Sequence, residues 1–370
     1  MNHATTADRL KRAQQLVAAN GLDAILVTPG PDLRYLTGYD AVPLERLTCL
    51  VVPATGPASV VVPLLEQAAA AASPIGAAGL PIHPWAESED PYALVATLLP
   101  RAGRVGLDDH MRAAKVLGLR AAMPGFEQLL AGPVTSGLRM RKTADEVQAL
   151  REAGAAIDEV HARVAEWLKP GRTEAEVGRD ISEAILAAGH ATVDFVIVAS
   201  GPNGASPHHE VSDRVIERGD PVVVDIGGTM PSGYCSDSTR TYAVGQPAPE
   251  FLGVYEVLRA AQAAACRWAR PGVTAASVDR AAREVIEASG YGEAFIHRTG
   301  HGIGLETHEE PYIVAGNELV LEAGMAFSVE PGIYFPGHWG ARIEDIVIVT
   351  ADGALALNTR PHELNVVPVG

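Results

Sequence analysis

A chain of 370 residues, 47% hydrophobic and 20% charged, has material for one large domain or two and for a sizeable core. A net charge of −16 argues against nucleic acid or an anionic membrane as the main partner, and the richest apolar runs are far too short to span a bilayer. Three widely spaced cysteines, Cys49, Cys235 and Cys266, form neither a disulfide framework nor a metal-ligand pair, and the polar N-terminus lacks an apolar signal core, so the chain reads as a soluble protein of the reducing cytoplasm.

In chain order, Leu10, Ala13, Leu16 and Val17 share one face of a helix that Gly21 ends. Residues 24–27 read as a buried strand and Pro29-Gly30-Pro31-Asp32 as a turn. Residues 47–52 and 59–64 are two strands around a hairpin loop at 53–57. A helix at 64–72, a strand at 104–107 and a helix at 113–119 follow, and the alternation predicts an α/β domain over residues 1–135 with no catalytic cluster of its own. The Gly/Pro-rich stretch at 132–137 reads as the linker to a second domain, residues 136–370.

That second domain opens on Thr143-Ala144-Asp145-Glu146, a capping-box pattern that starts a long helix, which Lys169-Pro170-Gly171 stops. Thr173-Glu174-Ala175-Glu176 has the same spacing and starts another, ending near Gly189. Trp167-Leu168-Lys169-Pro170-Gly171-Arg172-Thr173 then recurs as Trp268-Ala269-Arg270-Pro271-Gly272-Val273-Thr274. The match continues at Val177 with Val278, Glu183 with Glu284 and Gly189 with Gly290, which marks a duplicated helix-break-helix unit. Two such units related by a pseudo-two-fold axis would flank sheet strands at 195–199, 221–224, 325–329 and 343–349, with a cleft between the halves.

The chemistry lies on that strand material. Asp225 ends an apolar strand, and alone it reads as a turn former. A hairpin from Asp225 to Asp237 would set the two aspartates side by side, and Glu330 and Glu344 are carboxylates embedded in apolar strands. A buried carboxylate is costly unless paired or bound to a metal. His301 sits in the glycine-rich run from His297 to His308. Four carboxylates and an imidazole cannot all keep their charges close together without cations between them, and two divalent metals solve the problem. The oxygen-rich set suits Mn, Fe, Co or Zn. Water shared by such ions becomes a hydroxide nucleophile near neutral pH, which predicts metal-assisted hydrolysis.

The order of these motifs, with His208 in Ser206-Pro207-His208-His209 and with Leu33-Arg34-Tyr35-Leu36-Thr37-Gly38 near the N-terminus, resembles the creatinase/prolidase/aminopeptidase P family across almost the whole chain. The Asp225 to Asp237 interval is one residue longer than the family's, which lengthens the hairpin near Met230-Pro231-Ser232. The resemblance implies a creatinase-like α/β domain followed by a pseudo-two-fold pita-bread metallopeptidase domain. It implies that Asp225 chelates one metal, that His301 and Glu330 hold the other, and that Asp237 and Glu344 bridge them. Glu330 would also serve as base and proton shuttle, His308 and His208 would bind the scissile carbonyl, and His297 would line the proline side. Arg342 would hold a substrate carboxylate, its alternative being an ion pair with a neighbouring acid.

The expected enzyme is an Xaa-Pro dipeptidase of the prolidase type, homodimeric by family resemblance, acting on small peptides with proline second. The alternative is an Xaa-Pro aminopeptidase acting on longer peptides. The N-terminal domain counts against methionine aminopeptidase, and the intact ligand set against creatinase or a non-catalytic peptide-binding scaffold. His209 neighbours His208 and could substitute for it, the favoured reading being that it is merely exposed; His161, His190, His338 and His362 are read as surface or packing residues.

Overall fold

Short β-branched runs alternate with helices over the first third of the chain. In the computed structural model, which describes residues 3–100 and 102–369, they form a compact unit that ends at Arg139. Strands β1 (Ala24–Val27), β2 (Cys49–Pro53), β3 (Ser59–Pro63), β4 (Ile82–Trp85), β5 (Arg104–Leu107) and β6 (Glu127–Leu130) make one sheet in the order β4-β3-β2-β1-β5-β6. β2 and β3 are the expected antiparallel hairpin, with Cys49 opposite Val61. Helices α1 (His3–Ala19), α2 (Pro31–Thr37), α3 (Gln67–Ala72), α4 (Pro74–Ala77), α5 (Pro91–Leu98), α6 (Ala113–Ala122) and α7 (Gly132–Arg139) complete the unit. Leu26, Val51, Val61, Val95 and Leu119 share one of its apolar cores, each worth about 1.5–3 kcal/mol in burial.

Two expectations fail here for a common reason: proline breaks a helix interior but is tolerated in its first turn. Pro31 opens α2 instead of closing a turn, because its missing N–H costs nothing in a first helical turn. The presumed linker at 132–137 is likewise the start of α7, with Pro133 in its first turn, and the division between units falls after Arg139.

The second unit runs from Met140. Thr143 and Thr173 form the predicted capping boxes, each hydroxyl accepting from the backbone N–H three residues on while that glutamate accepts from the cap N–H. They start α8 (Ala144–Trp167) and α9 (Glu174–Ala187), and the duplicated unit gives α10 (Pro249–Trp268) and α11 (Ala275–Ala288). The first pair packs Ile157, Val164, Val177 and Ile181 onto β7 (Thr192–Ser200), β8 (Pro221–Thr229) and β9 (Cys235–Val244). With β17 (Asn365–Val367), these strands order as β17-β9-β8-β7.

The second pair packs Leu258, Ala265, Val278 and Ile286 onto the other sheet. Its strands are β10 (Gly300–Gly302), β11 (Glu309–Ile313), β12 (Ala326–Val329), β15 (Asp345–Thr350) and β16 (Gly353–Ala356), in the order β11-β10-β12-β15-β16. A separate hairpin joins β13 (Gly332–Phe335) to β14 (Trp339–Arg342). Each helix pair thus has its own sheet and core, so the repeat in sequence is a repeat in packing. No helix among the described residues is long and apolar enough to cross a membrane.

Candidate metal centre

The β8–β9 hairpin fixes the first two acids. Its register pairs Asp225 with Thr239 and Gly227 with Asp237, so the aspartates share a face but lie diagonally, not side by side as the spacing predicted. Residues two apart on a strand project to one face, which is why both still point the same way. Glu330 follows the last residue of β12, and Glu344 lies between β14 and β15, so both acids sit at strand ends and not within strands. There a carboxylate escapes the alternation of the sheet and turns towards the hairpin.

His301 is the middle residue of β10, and the glycines beside it are required by close approach. A Cβ on Gly300 would lie 1.9 Å from the Ser328 carbonyl oxygen, and one on Gly302 would lie 2.3 Å from that of Glu310. The imidazole Nδ1 is 3.2 Å from the Gly302 carbonyl oxygen, which fixes the ring with Nε2 turned into the site. Nε2 points at Glu330 Oε1, 3.0 Å away, and at Asp237 Oδ2, 3.7 Å away. Ligand atoms of Asp237, His301 and Glu344 all lie within 4.8 Å of one another, and all three residues are buried.

A cleft of about 1170 Å³ gathers every residue singled out from sequence: Asp225, Asp237, His301, Glu330 and Glu344, with His208, His297, His308 and Arg342. Phe195, Val196, Ile197, Val211 and Ile296 make its apolar walls. The His308 ring stands edge-on to His301 with centroids 4.0 Å apart. Burial, then the charges of His301 and Arg298, hold its pKa down at about 4, so it is neutral near pH 7. His297 is neutral for the same first reason, burial. Its Nδ1 donates to the Arg298 carbonyl at 2.7 Å, and its Nε2 accepts from the Tyr334 hydroxyl at 2.9 Å.

Two side chains differ from expectation. The Arg342 fork is occupied. Nη2 donates to Asp225 Oδ2 at 2.6 Å and to the Pro207 carbonyl at 3.3 Å, Nη1 to the Tyr334 hydroxyl at 2.7 Å, and Nε to Thr239 Oγ1 at 3.2 Å. The alternative weighed for it, an ion pair with a neighbouring acid, is the arrangement found. His209 is not merely exposed either, since it is half-buried with Nε2 2.8 Å from Glu174 Oε2. His161 and His190 are buried packing residues, His338 is exposed, and His362 pairs with Asp345 at 2.6 Å.

Several supporting residues escaped sequence reading. Thr239 donates to Glu344 Oε2 at 2.8 Å, and Ser328 donates to Glu330 Oε1 at 3.0 Å while accepting from the His301 N–H. On α11, Asp279 Oδ1 accepts from the Thr299 N–H and hydroxyl, and its partner Arg283 donates to the His297 carbonyl at 2.8 Å. The Ser-Asp-Ser-Thr run on β9 and the Ser328-Val329-Glu330 spacing were the available signals, because hydroxyls two residues from a ligand share its face. Nothing local marked Asp279.

Electrostatics separate the acids. Burial, then the Glu344 and Asp225 charges, push the Asp237 carboxyl well above the usual range, and burial with Glu330 and Asp225 does the same to Glu344. Burial alone would raise Glu330 too, but its hydrogen bond to His301 and that ring's charge bring it down to about 2. Asp225 Oδ1 and Glu344 Oε1 are buried with no hydrogen-bond donor among the described residues. Buried acceptors left without donors among crowded acids and one imidazole fit a divalent cation.

Residues 148–351 match metallopeptidase family M24, and residues 9–141 match the creatinase/prolidase N-terminal domain. The "Probable dipeptidase PepE" of Mycobacterium bovis is 57% identical, covering 98% of this chain and 97% of that one. The "Xaa-Pro dipeptidase" of Lactobacillus delbrueckii subsp. lactis is 37% identical, covering 97% and 99%. The crystal structure of dipeptidase PepE from Mycobacterium ulcerans superposes with a TM-score of 0.97 at 56% identity, over 100% of both chains.

Proposed function

The chain belongs to metallopeptidase family M24, with a creatinase-like N-terminal domain and a pita-bread catalytic domain, and from that membership we propose that it hydrolyses the Xaa-Pro bond of dipeptides. It is a metal-dependent peptidase, and the observation that carries this reading is the buried Asp237/His301/Glu344 group. The M. bovis and M. ulcerans relatives are named as dipeptidases, and the Lactobacillus relative as an Xaa-Pro dipeptidase, which supports the substrate class.

We read Asp225, Asp237, His301, Glu330 and Glu344 as the residues that would hold two divalent ions, Mn, Co or Zn. Asp225 Oδ1 and Glu344 Oε1, acceptors without donors among the described residues, support a cation beside these acids. When bound, such ions neutralise the acids, polarise a carbonyl and lower the pKa of water towards neutrality.

The chain's own residues do the rest. Glu330, whose Oε1 lies 3.0 Å from His301 Nε2, takes a proton from the attacking water and passes it to the departing proline nitrogen. Neutral His308 offers an N–H to the carbonyl oxygen as charge grows on it, and His208 on the neighbouring loop offers a second. His297, fixed by Tyr334, faces the proline side. Arg342 holds Asp225 and Tyr334 in place and so aligns a ligand.

Hydrolysis of Ala-Pro and of Ala-Pro-Ala, measured with Mn, Co and Zn in turn, tests the reading. The expected result is a higher kcat/KM on the dipeptide. Equal or faster cleavage of the tripeptide would make the enzyme an aminopeptidase, and inertness on both would end the peptidase assignment.

A further inference from the structure

Behind the cleft wall that carries His208 lies an acid that the chemistry above leaves unused. Glu174, the first residue of α9, is 0% exposed. Its Oε1 accepts from the Ser200 N–H and hydroxyl, both at 2.7 Å, and from Asn203 Nδ2 at 3.1 Å. Its Oε2 accepts from the Ser212 hydroxyl at 2.6 Å, the Ser212 N–H at 3.3 Å and Asn203 Nδ2 at 3.1 Å, and faces His209 Nε2 at 2.8 Å. Every one of these donors belongs to residues 200–212. Beyond Ser200, the last residue of β7, that segment has no regular structure except the short 3₁₀ turn Gly201–Ala205, and it supplies Ser206, Pro207, His208 and Val211 to the cleft lining.

Glu174 is not needed to start its helix, because Thr173 and Glu176 already cap α9. Burying a carboxylate is costly, and here the surrounding donors outweigh that cost and hold the group below the usual carboxylate range. A charge placed inside the protein and spent wholly on one irregular segment is a device for fixing that segment. The far side of the segment meets Arg342, whose Nη2 donates to the Pro207 carbonyl at 3.3 Å, and Gly340, which Gly204 approaches closely. The other half of the duplicated unit does the same from the corresponding helix, where Asp279 and Arg283 tether the Phe295 to Thr299 stretch that leads into His301.

We propose that Glu174 is a positioning residue, a buried clamp that holds the 200–212 segment so that His208 meets the substrate carbonyl. The proposal rests on the peptidase reading of the cleft. Gln at this position offers one acceptor oxygen instead of two and turns an NH₂ towards donors, so Glu174→Gln releases half of the clamp.

The test is a double-mutant cycle on the metal-loaded enzyme with Ala-Pro as substrate. Glu174→Gln is expected to lower kcat roughly 10- to 100-fold with KM little changed, as sub-ångström misplacement of a transition-state donor does. The same substitution should cost nothing further in a His208→Ala background. Ser212→Ala, which removes one donor, gives a smaller loss with the same dependence on His208, and it serves if Glu174→Gln does not fold. An equal loss with and without His208, or no loss in the native background, overturns the clamp. A silent His208→Ala overturns it too, whereas a metal-loaded wild-type enzyme inert on Ala-Pro overturns the peptidase reading and the clamp with it.

Discussion

Two arginines on the cleft wall have opposite situations. Arg342 spends every guanidinium nitrogen on Asp225, Tyr334, Thr239 and Pro207. Arg298 stacks its guanidinium 4.4 Å over the Tyr312 ring, and that group has no hydrogen-bond or ion-pair partner among the described residues. A dipeptide brings a free carboxylate into the cleft, and Arg298 is the lining cation with donors to spare for it. Arg298→Met is therefore expected to lower kcat/KM on Ala-Pro roughly 10- to 100-fold, the worth of a charged hydrogen bond, and to leave Ala-Pro amide little affected. Equal losses on acid and amide would show that Arg298 reads no carboxylate. Sequence could not separate the two arginines, since both are cations near ligands. What separates them is which acid lies opposite, and that depends on the diagonal of the β8–β9 register.

Elements carried by local chemistry were legible, and those carried by tertiary context were not. The capping boxes at Thr143 and Thr173 gave the starts of α8 and α9 because both partners lie within four residues. Strand β4, Ile-His-Pro-Trp, escaped because Pro84 argues against a strand, yet an edge strand tolerates the missing donor. The ligand types were readable from acids set among apolar residues, whereas the clamps at Glu174 and Asp279 were hidden because their partners lie far along the chain.

The α8–β9 packing also makes a pH prediction. His161 is buried between these elements, near Tyr242 and the Ser238 carbonyl, and burial takes its pKa down to about 3. Below pH 6.5 the unfolded chain binds a proton that the folded one refuses, so stability falls as pH drops from 6.5 towards 3. Between pH 7 and pH 5 this one group costs about 2 kcal/mol. Denaturant melts of wild type and His161→Gln should differ in pH dependence by that amount, and parallel curves would contradict the assignment.

At the scale of the whole molecule, the catalytic unit is a helix pair and a sheet made twice. One copy brings Asp225, Asp237 and His208, and the other brings His297, His301, His308, Glu330 and Glu344. Neither copy holds a complete ligand set, so cation binding and the folding of this unit are linked, and metal should stabilise the native state by mass action. These crowded acids form a cation site, and the bound cations drive hydrolysis. The most direct test is titration of metal-stripped protein with Mn²⁺, with bound metal counted by mass spectrometry and Ala-Pro turnover followed in parallel. Uptake should rise to two ions per chain, with turnover appearing as they bind. Full turnover in the stripped protein, or no uptake at all, would contradict it.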